Sequence, residues 1–198
     1  MTHRISIIIG IQEAERAQAL KQFSFRQQDK LTLPNFGQRL AASLILCLCF
    51  STPLYAQRVT NERVGCSLVA AQQYGLPANI LLAVAEQEGG RPGQWVRNTN
   101  GTYDLGALQF NTSYIASLRR YNISPADVTA AGCYPYQLAA WRIRRHIQYD
   151  SGDIWTRVAN YHSRTPVYNA RYRASIMERA RRWHFWLQRM SGQQIASN

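Results

Sequence analysis

The chain has 198 residues, 46% of them hydrophobic and 11% aromatic, long enough to bury one sizeable core, so one compact domain is the expectation. Its charge is +12, from 23 Lys+Arg against 11 Asp+Glu, and from Gln57 onward 17 arginines and no lysine stand against 8 acids. Such a surface attracts an anionic partner, whether nucleic acid, acidic lipid or an acidic wall polymer, and no recognisable nucleic-acid motif accompanies it.

Residues 39–57, RLAASLILCLCFSTPLYAQ, place a positive residue, an apolar run and a small residue in the order of a secretory signal. Cleavage is expected after Ala56, so residues 1–56 read as leader. The apolar run from Leu40 to Phe50 falls short of the roughly 18–20 residues of a membrane span. Residues 1–38 read as an over-extended gene start or an unusual leader, with nothing in them resembling a folded unit. Cys47 and Cys49 would leave with the signal. Cys66 and Cys133 then form an even pair in an exported chain and read as a disulfide, with two unpaired core thiols as the alternative. No CxxC or Cys/His spacing suggests zinc, and nothing calls for a cofactor.

From Asn61 the pattern is mostly helical. NERVGCSLVAAQQYG is a first helix, capped by Asn61 and ended by Gly75. A second starts at Leu76-Pro77, with Pro at N1, and runs to Glu88 before Gly89-Gly90. RPGQWVRNTNGTYDLGALQFNTS reads as loop with short β-like segments. Asn111 or Thr112 caps the next helix, and Ser124-Pro125 starts another that ends near Gly132. In YPYQLAAWRIRRHIQYD, Ala139, Ile143 and Ile147 fall on one stripe. DIWTRVANYHS gives a further helix, and residues 169–190 give the last, whose stretch RYRASIMERARRW reads most plainly as a solvated cationic face. The expectation is a mainly α domain with one loop-rich insert, 57–198.

Three stretches carry candidate chemistry. Leu81, Val84, Ala85 and Glu88 share a helix face, whereas Glu86 groups with Leu82 and Asn79. Low polarity around Glu88 would raise its pKa and hold it protonated near neutrality, as a general acid requires. The glycines after it leave room for backbone or ligand. In TYDLGALQFN, Asp104 precedes Gly106, which puts no side chain in a groove, and Gln109 offers an amide donor and acceptor suited to sugar hydroxyls. In VANYHSRTP, Tyr161 either bonds a carboxyl, stacks on a sugar, or is a core tyrosine with a satisfied hydroxyl.

Glu88 followed by a small residue, then GALQ (106–109), then ANYHS (159–163), resembles the catalytic domain of lytic transglycosylases of the soluble-transglycosylase type. It looks closest to the small exported members that accompany type III secretion, type IV pilus and conjugation systems, which also carry a second cysteine before the AAW helix. The resemblance covers residues 64–183. It implies an α+β, lysozyme-like fold, a helical domain whose short insert forms one side of a saccharide groove. It further implies that Glu88 is the acid/base cleaving the β-1,4 bond between N-acetylmuramic acid and N-acetylglucosamine, leaving an anhydro sugar. Gly106, Leu108 and Gln109 would line the groove, Tyr161 would support Glu88, and Tyr172 would match a later aromatic that helps close the domain. Peptidoglycan and an envelope-spanning machine are the implied partners, with an exported, periplasmic monomer as the expected state.

The chain departs from the family in having Gly89 where Ser is usual, GALQ for GLMQ, and NYHSR for AYNAG. His162 is then a substrate contact or a structural replacement. The stretch YDLGALQFN also looks like that of animal-type lysozymes, so Asp104 is a candidate second carboxylate. If it faces Glu88, hydrolysis follows; if it caps a turn, the single-carboxylate route stands. A wall-binding adaptor without catalysis and a cytoplasmic basic nucleic-acid binder are the readings from other classes.

Overall fold

The computed structural model describes residues 51–196, with side-chain surroundings from residue 62 to residue 191. The chain divides into two compact units, Met1–Glu62 and Arg63–Asn198, and of the first only the opening of one helix is described. The leader expectations over residues 1–50, Cys47 and Cys49 among them, lie outside the described residues.

Helix α1 (Ser51–Tyr74) is followed by α2 (Ala78–Glu88) and by strands β1 (Trp95–Arg97), β2 (Tyr103–Leu105) and β3 (Phe110–Asn111). Then come α3 (Thr112–Leu118), a 3-10 turn (Arg119–Tyr121), α4 (Pro125–Thr129), α5 (Tyr134–Tyr149), α6 (Ile154–Ala159) and α7 (Pro166–Ala196). The strands form one antiparallel sheet in the order β1-β2-β3, with Trp95 opposite Leu105 and Asp104 opposite Asn111. This is the mainly α, lysozyme-like α+β arrangement with a short β insert.

Local chemistry explains most of the boundaries. Gly75 ends α1 at φ +60, in the left-handed region where glycine is favoured. Asn111 Oδ1 accepts from Ser113 N at 3.0 Å to start α3, and Ser124 with Asp127 forms a capping box ahead of Pro125 in α4. Two expectations shift. The first helix begins at Ser51, so Asn61 lies inside it and is not its cap. Pro77 occupies the position before α2, at ψ 124, and Ala78 is the first helical residue.

Helix α2 is buried from Ile80 to Ala85, more completely than an amphipathic helix would be, because two layers cover it. Its Leu81–Val84–Ala85 stripe faces the core, which also holds Leu105, Leu108, Phe110 and Ile143. Its other face, carrying Asn79 and Glu86, lies under α7: Asn79 Nδ2 donates to the Ala180 carbonyl at 3.2 Å. A disulfide joins Cys66 in α1 to Cys133 at the head of α5, as the even cysteine count predicts. Among the described residues no helix is long and apolar enough to cross a membrane.

Candidate active site

Three successive residues at the end of α2 are tied to one face of α7. Arg182 Nη2 and Trp183 Nε1 donate to Glu86 at 2.9 and 2.7 Å, Ser175 Oγ donates to Gln87 Oε1 at 2.5 Å, and Tyr172 Oη donates to Glu88 Oε1 at 2.5 Å. On α7 the partners fall at 172, 175, 179 and 182–183, the spacing of a single helical stripe. Glu86 is thereby consumed in an ion-pair network with Arg182 and Arg179. Glu88 has only the Tyr172 hydroxyl as its hydrogen-bond donor among the described residues.

Just past Glu88 the chain breaks for two separate reasons. Gly89 closes α2 at φ +59, its N–H reaching the Ala85 carbonyl, so the residue after the carboxylate is set by a left-handed cap. A Cβ on Gly90 would stand 2.1 Å from the Gly106 carbonyl and 2.5 Å from Gln109 Nε2. Gly90 therefore admits the GALQ segment rather than a ligand. Gly106 is a glycine for a similar reason. At φ +68, a Cβ there would meet the Val128 carbonyl of α4 at 2.1 Å, so the missing side chain makes room for α4 and not for a groove.

The result is a cavity of about 340 Å³ lined by Glu88, Asp104, Gln109, Asn111, Arg142, Tyr161 and His162. On its other side Glu88 opens to a hollow of about 360 Å³, where His162, Tyr168, Arg171 and Tyr172 form part of the wall. Glu88 stands at the junction of the two. Burial pushes its carboxyl up from the ordinary carboxylate value to about 7; the Tyr172 hydrogen bond and the Arg142 charge pull it down, and Asp104 pushes it up.

The expected site residues divide clearly. Glu88, Asp104, Gln109, Tyr161 and His162 meet around one cavity. Gln109 holds φ +49 and its Nε2 donates to the Gly106 carbonyl at 2.8 Å, so part of the amide braces its own turn. Leu108 is 0% exposed and offers no side chain to a groove; its carbonyl serves instead as the acceptor for Tyr161 Oη at 2.8 Å. Tyr161, 3% exposed, is thus the core tyrosine with a satisfied hydroxyl, one of the alternatives open for it, and the tyrosine that holds Glu88 is Tyr172, where the resemblance implied Tyr161. His162 lies on the Tyr172 ring. Burial lowers the His162 imidazole below its ordinary value; Asp104 opposes that and Arg142 adds to it.

Two residues outside the expected site set complete the cavity. Asn111 donates from Nδ2 to Asp104 Oδ1 at 2.9 Å while its Oδ1 caps α3, fixing the carboxylate across the β2–β3 pair. Arg142 is clamped between the Tyr114 and Tyr161 rings, 4.0 and 4.5 Å from their centroids. Its signal was present: Leu138, Arg142 and His146 are four apart, and the outer two are buried.

This is an α-dominant, lysozyme-like α+β protein whose central cavity is built around one proton-retaining carboxyl. The sequence is similar to Protein IpgF of Shigella flexneri, 28% identical over 123 residues, spanning 62% of this chain and 76% of that protein. It is also similar to Invasion protein IagB of Salmonella typhimurium, 27% identical over 117 residues, spanning 59% of this chain and 72% of that protein. No protein-family model matches the chain.

Proposed function

We propose that the chain is a peptidoglycan lytic transglycosylase, cleaving the β-1,4 bond between N-acetylmuramic acid and N-acetylglucosamine with an anhydro-muramyl product. The observation that carries the reading is a Glu88 carboxyl raised to about 7, gripped on one oxygen by Tyr172, between two open hollows. Because Tyr172 donates to Oε1, Oε2 is the oxygen left to carry the acid proton to the glycosidic oxygen. Proton transfer to that oxygen releases the leaving sugar as the C1–O bond breaks. The Glu88 carboxylate so formed is held by the Tyr172 hydroxyl and the Arg142 charge, the two groups that lower its pKa. It then takes the proton of the muramyl C6 hydroxyl as O6 bonds to C1. Glu88 returns to its acid form and no water is consumed.

Asp104 carries the second reading, a hydrolytic muramidase, since it lines the same cavity as Glu88 and is anchored by Asn111. The disulfide fits an oxidising compartment and, with the signal-like segment, supports export to the periplasm. The name of the Salmonella relative speaks of invasion. With the resemblance to small exported members of the family, it supports a task of opening the wall locally for a secretion, conjugation or pilus apparatus.

The test is digestion of purified peptidoglycan followed by mass spectrometry of the product ends. Anhydro-muramyl ends are expected. Reducing ends would transfer the assignment to the hydrolase, and equal wall clearance by Glu88→Gln would remove Glu88 from the chemistry and leave a binding adaptor.

A further inference from the structure

A second recess lies behind Arg142. It holds about 250 Å³ and is walled by α3, the turn Arg119–Tyr121 and α5, with Arg164 at its edge. Arg120, Arg142 and Arg145 line it, and each guanidinium lies on an aromatic face. Arg120 is 5.3 Å from the Tyr121 centroid, Arg142 is 4.0 Å from Tyr114, and Arg145 is 5.1 Å from Trp141. An aromatic face orients a guanidinium while leaving its in-plane N–H fork unspent.

Among the described residues no hydrogen bond or ion pair spends the fork at two of them. Neither Arg120 nor Arg142 has a carboxylate partner among the described residues, and Arg142 Nε is buried with no hydrogen-bond partner. The one acid among the lining residues, Asp150, is already held by Arg164 at 3.0 Å, Asn160 at 2.7 Å and His146 at 2.7 Å. Those bonds overcome the burial that would raise its carboxyl and pull it down to about 2, so Asp150 is ionised but committed elsewhere. The recess therefore keeps a net positive charge, planar donors and an aromatic floor. That combination matches an aliphatic or peptidic group ending in a carboxylate. A phosphodiester chain asks instead for cations strung along a track.

Arg142 lines both this recess and the Glu88 cavity, so the two are neighbours across one side chain. We propose that the arginine recess binds the carboxylate of a peptide branch carried by the same glycan whose sugars occupy the Glu88 cavity. The proposal rests on the wall-cleaving reading, because only such a polymer brings sugars and peptide carboxylates to the two sites together.

The test uses the full exported chain with Glu88→Gln, which stops turnover, and measures binding calorimetrically. One probe is a wall tetrasaccharide bearing its peptides, and the other is the same sugar after amidase removal of the peptides. The peptide-bearing probe is expected to bind about tenfold tighter, the size of one charge-assisted hydrogen-bonded pair. Adding Arg120→Gln, an exposed position outside the Glu88 cavity, or Arg120→Gln with Arg145→Gln, is expected to erase that preference. The affinity for the bare sugar should stay unchanged. Equal binding of both probes, or a preference that survives the added pair of substitutions, overturns the peptide site and leaves the Glu88 chemistry standing. Binding of neither probe overturns both readings. Tight binding of single-stranded DNA that is lost in Arg120→Gln, with the peptide preference intact, assigns the recess to phosphate and overturns the proposal.

Discussion

His162 lies flat on Tyr172, with ring centroids 4.9 Å apart and planes 4° from parallel, and Tyr172 delivers its hydroxyl to Glu88. The stack fixes the direction of a donor that comes from a helix 84 residues away in sequence. Tyr172→Phe keeps the ring, its volume and the stack, and deletes only the hydroxyl. That hydroxyl lowers the Glu88 pKa, so its loss moves the pKa upward and leaves the carboxylate of the second step less stabilised. The expected outcome is a loss of wall-cleaving rate of roughly 10- to 100-fold, the range of a hydrogen bond to a charged group. The alkaline limb of the pH–rate profile should shift to higher pH. A loss of rate with an unmoved limb would assign Tyr172 to packing alone.

Glu88 also leaves a mark on stability. Its pKa is 4.5 as a free side chain and about 7 in the fold, so between these values the folded protein keeps a proton that the unfolded chain has released. The Glu88 contribution to stability is full below about pH 4.5 and is lost as pH rises through 7. The decline amounts to about 3 kcal/mol. Glu88→Gln removes the ionisation. It is expected to be closer to wild type in stability at pH 4.5 and more stable than wild type at pH 8, by about that amount. Urea unfolding of both proteins at the two pH values checks this, and parallel curves across the range would place the carboxyl in open water.

Gly106 carries a second structural prediction, since its substitution by alanine meets the Val128 carbonyl and adopts a left-handed φ. The expected cost is roughly 3 kcal/mol or more, combining backbone strain with displacement of α4. Gly101→Ala is the matched control. It has a similar φ of +82 with nothing within 4 Å of the added carbon, and should cost only about 1 kcal/mol. Thermal melts of the two variants separate close approach from conformational strain, and equal losses would contradict the packing of β2 against α4.

What could be read along the chain was whatever depends on neighbours in sequence. The four- and three-residue spacings of Leu81, Ala85 and Glu88 placed the carboxyl on a buried stripe, and the caps at Asn111, Ser124 and Gly75 follow from local hydrogen bonding and φ. Tyr172, and not Tyr161, holds Glu88, and nothing local tells which hydroxyl crosses to the carboxyl and which turns to the Leu108 carbonyl. Arg142 was hidden in the run RIRR, where only the four-residue row from Leu138 to His146 marks it as turned inward. The demand for glycine at 90 and 106 arises from the approach of distant backbone, which no spacing reveals.

The Cys66–Cys133 bond closes a loop of 67 residues from α1 to the head of α5, spanning the end of α1, all of α2, the sheet, α3 and α4. A crosslink over that length restricts the unfolded chain by about 4 kcal/mol in the chain-entropy account. Cys66 is buried, so cutting the bond also leaves two polar thiols or hydroxyls at the α1–α5 junction. Cys66→Ser/Cys133→Ser is therefore expected to unfold at markedly lower urea than wild type. Reductant should bring wild type down to nearly the same midpoint and leave the double variant unmoved. Because the bond ties α5, which carries Arg142, to the helix preceding α2, its loss should reduce wall cleavage at temperatures where the protein is still folded. A wild-type midpoint that ignores reductant, with no mass gain of two hydrogens on reduction, would show the thiols to be unpaired.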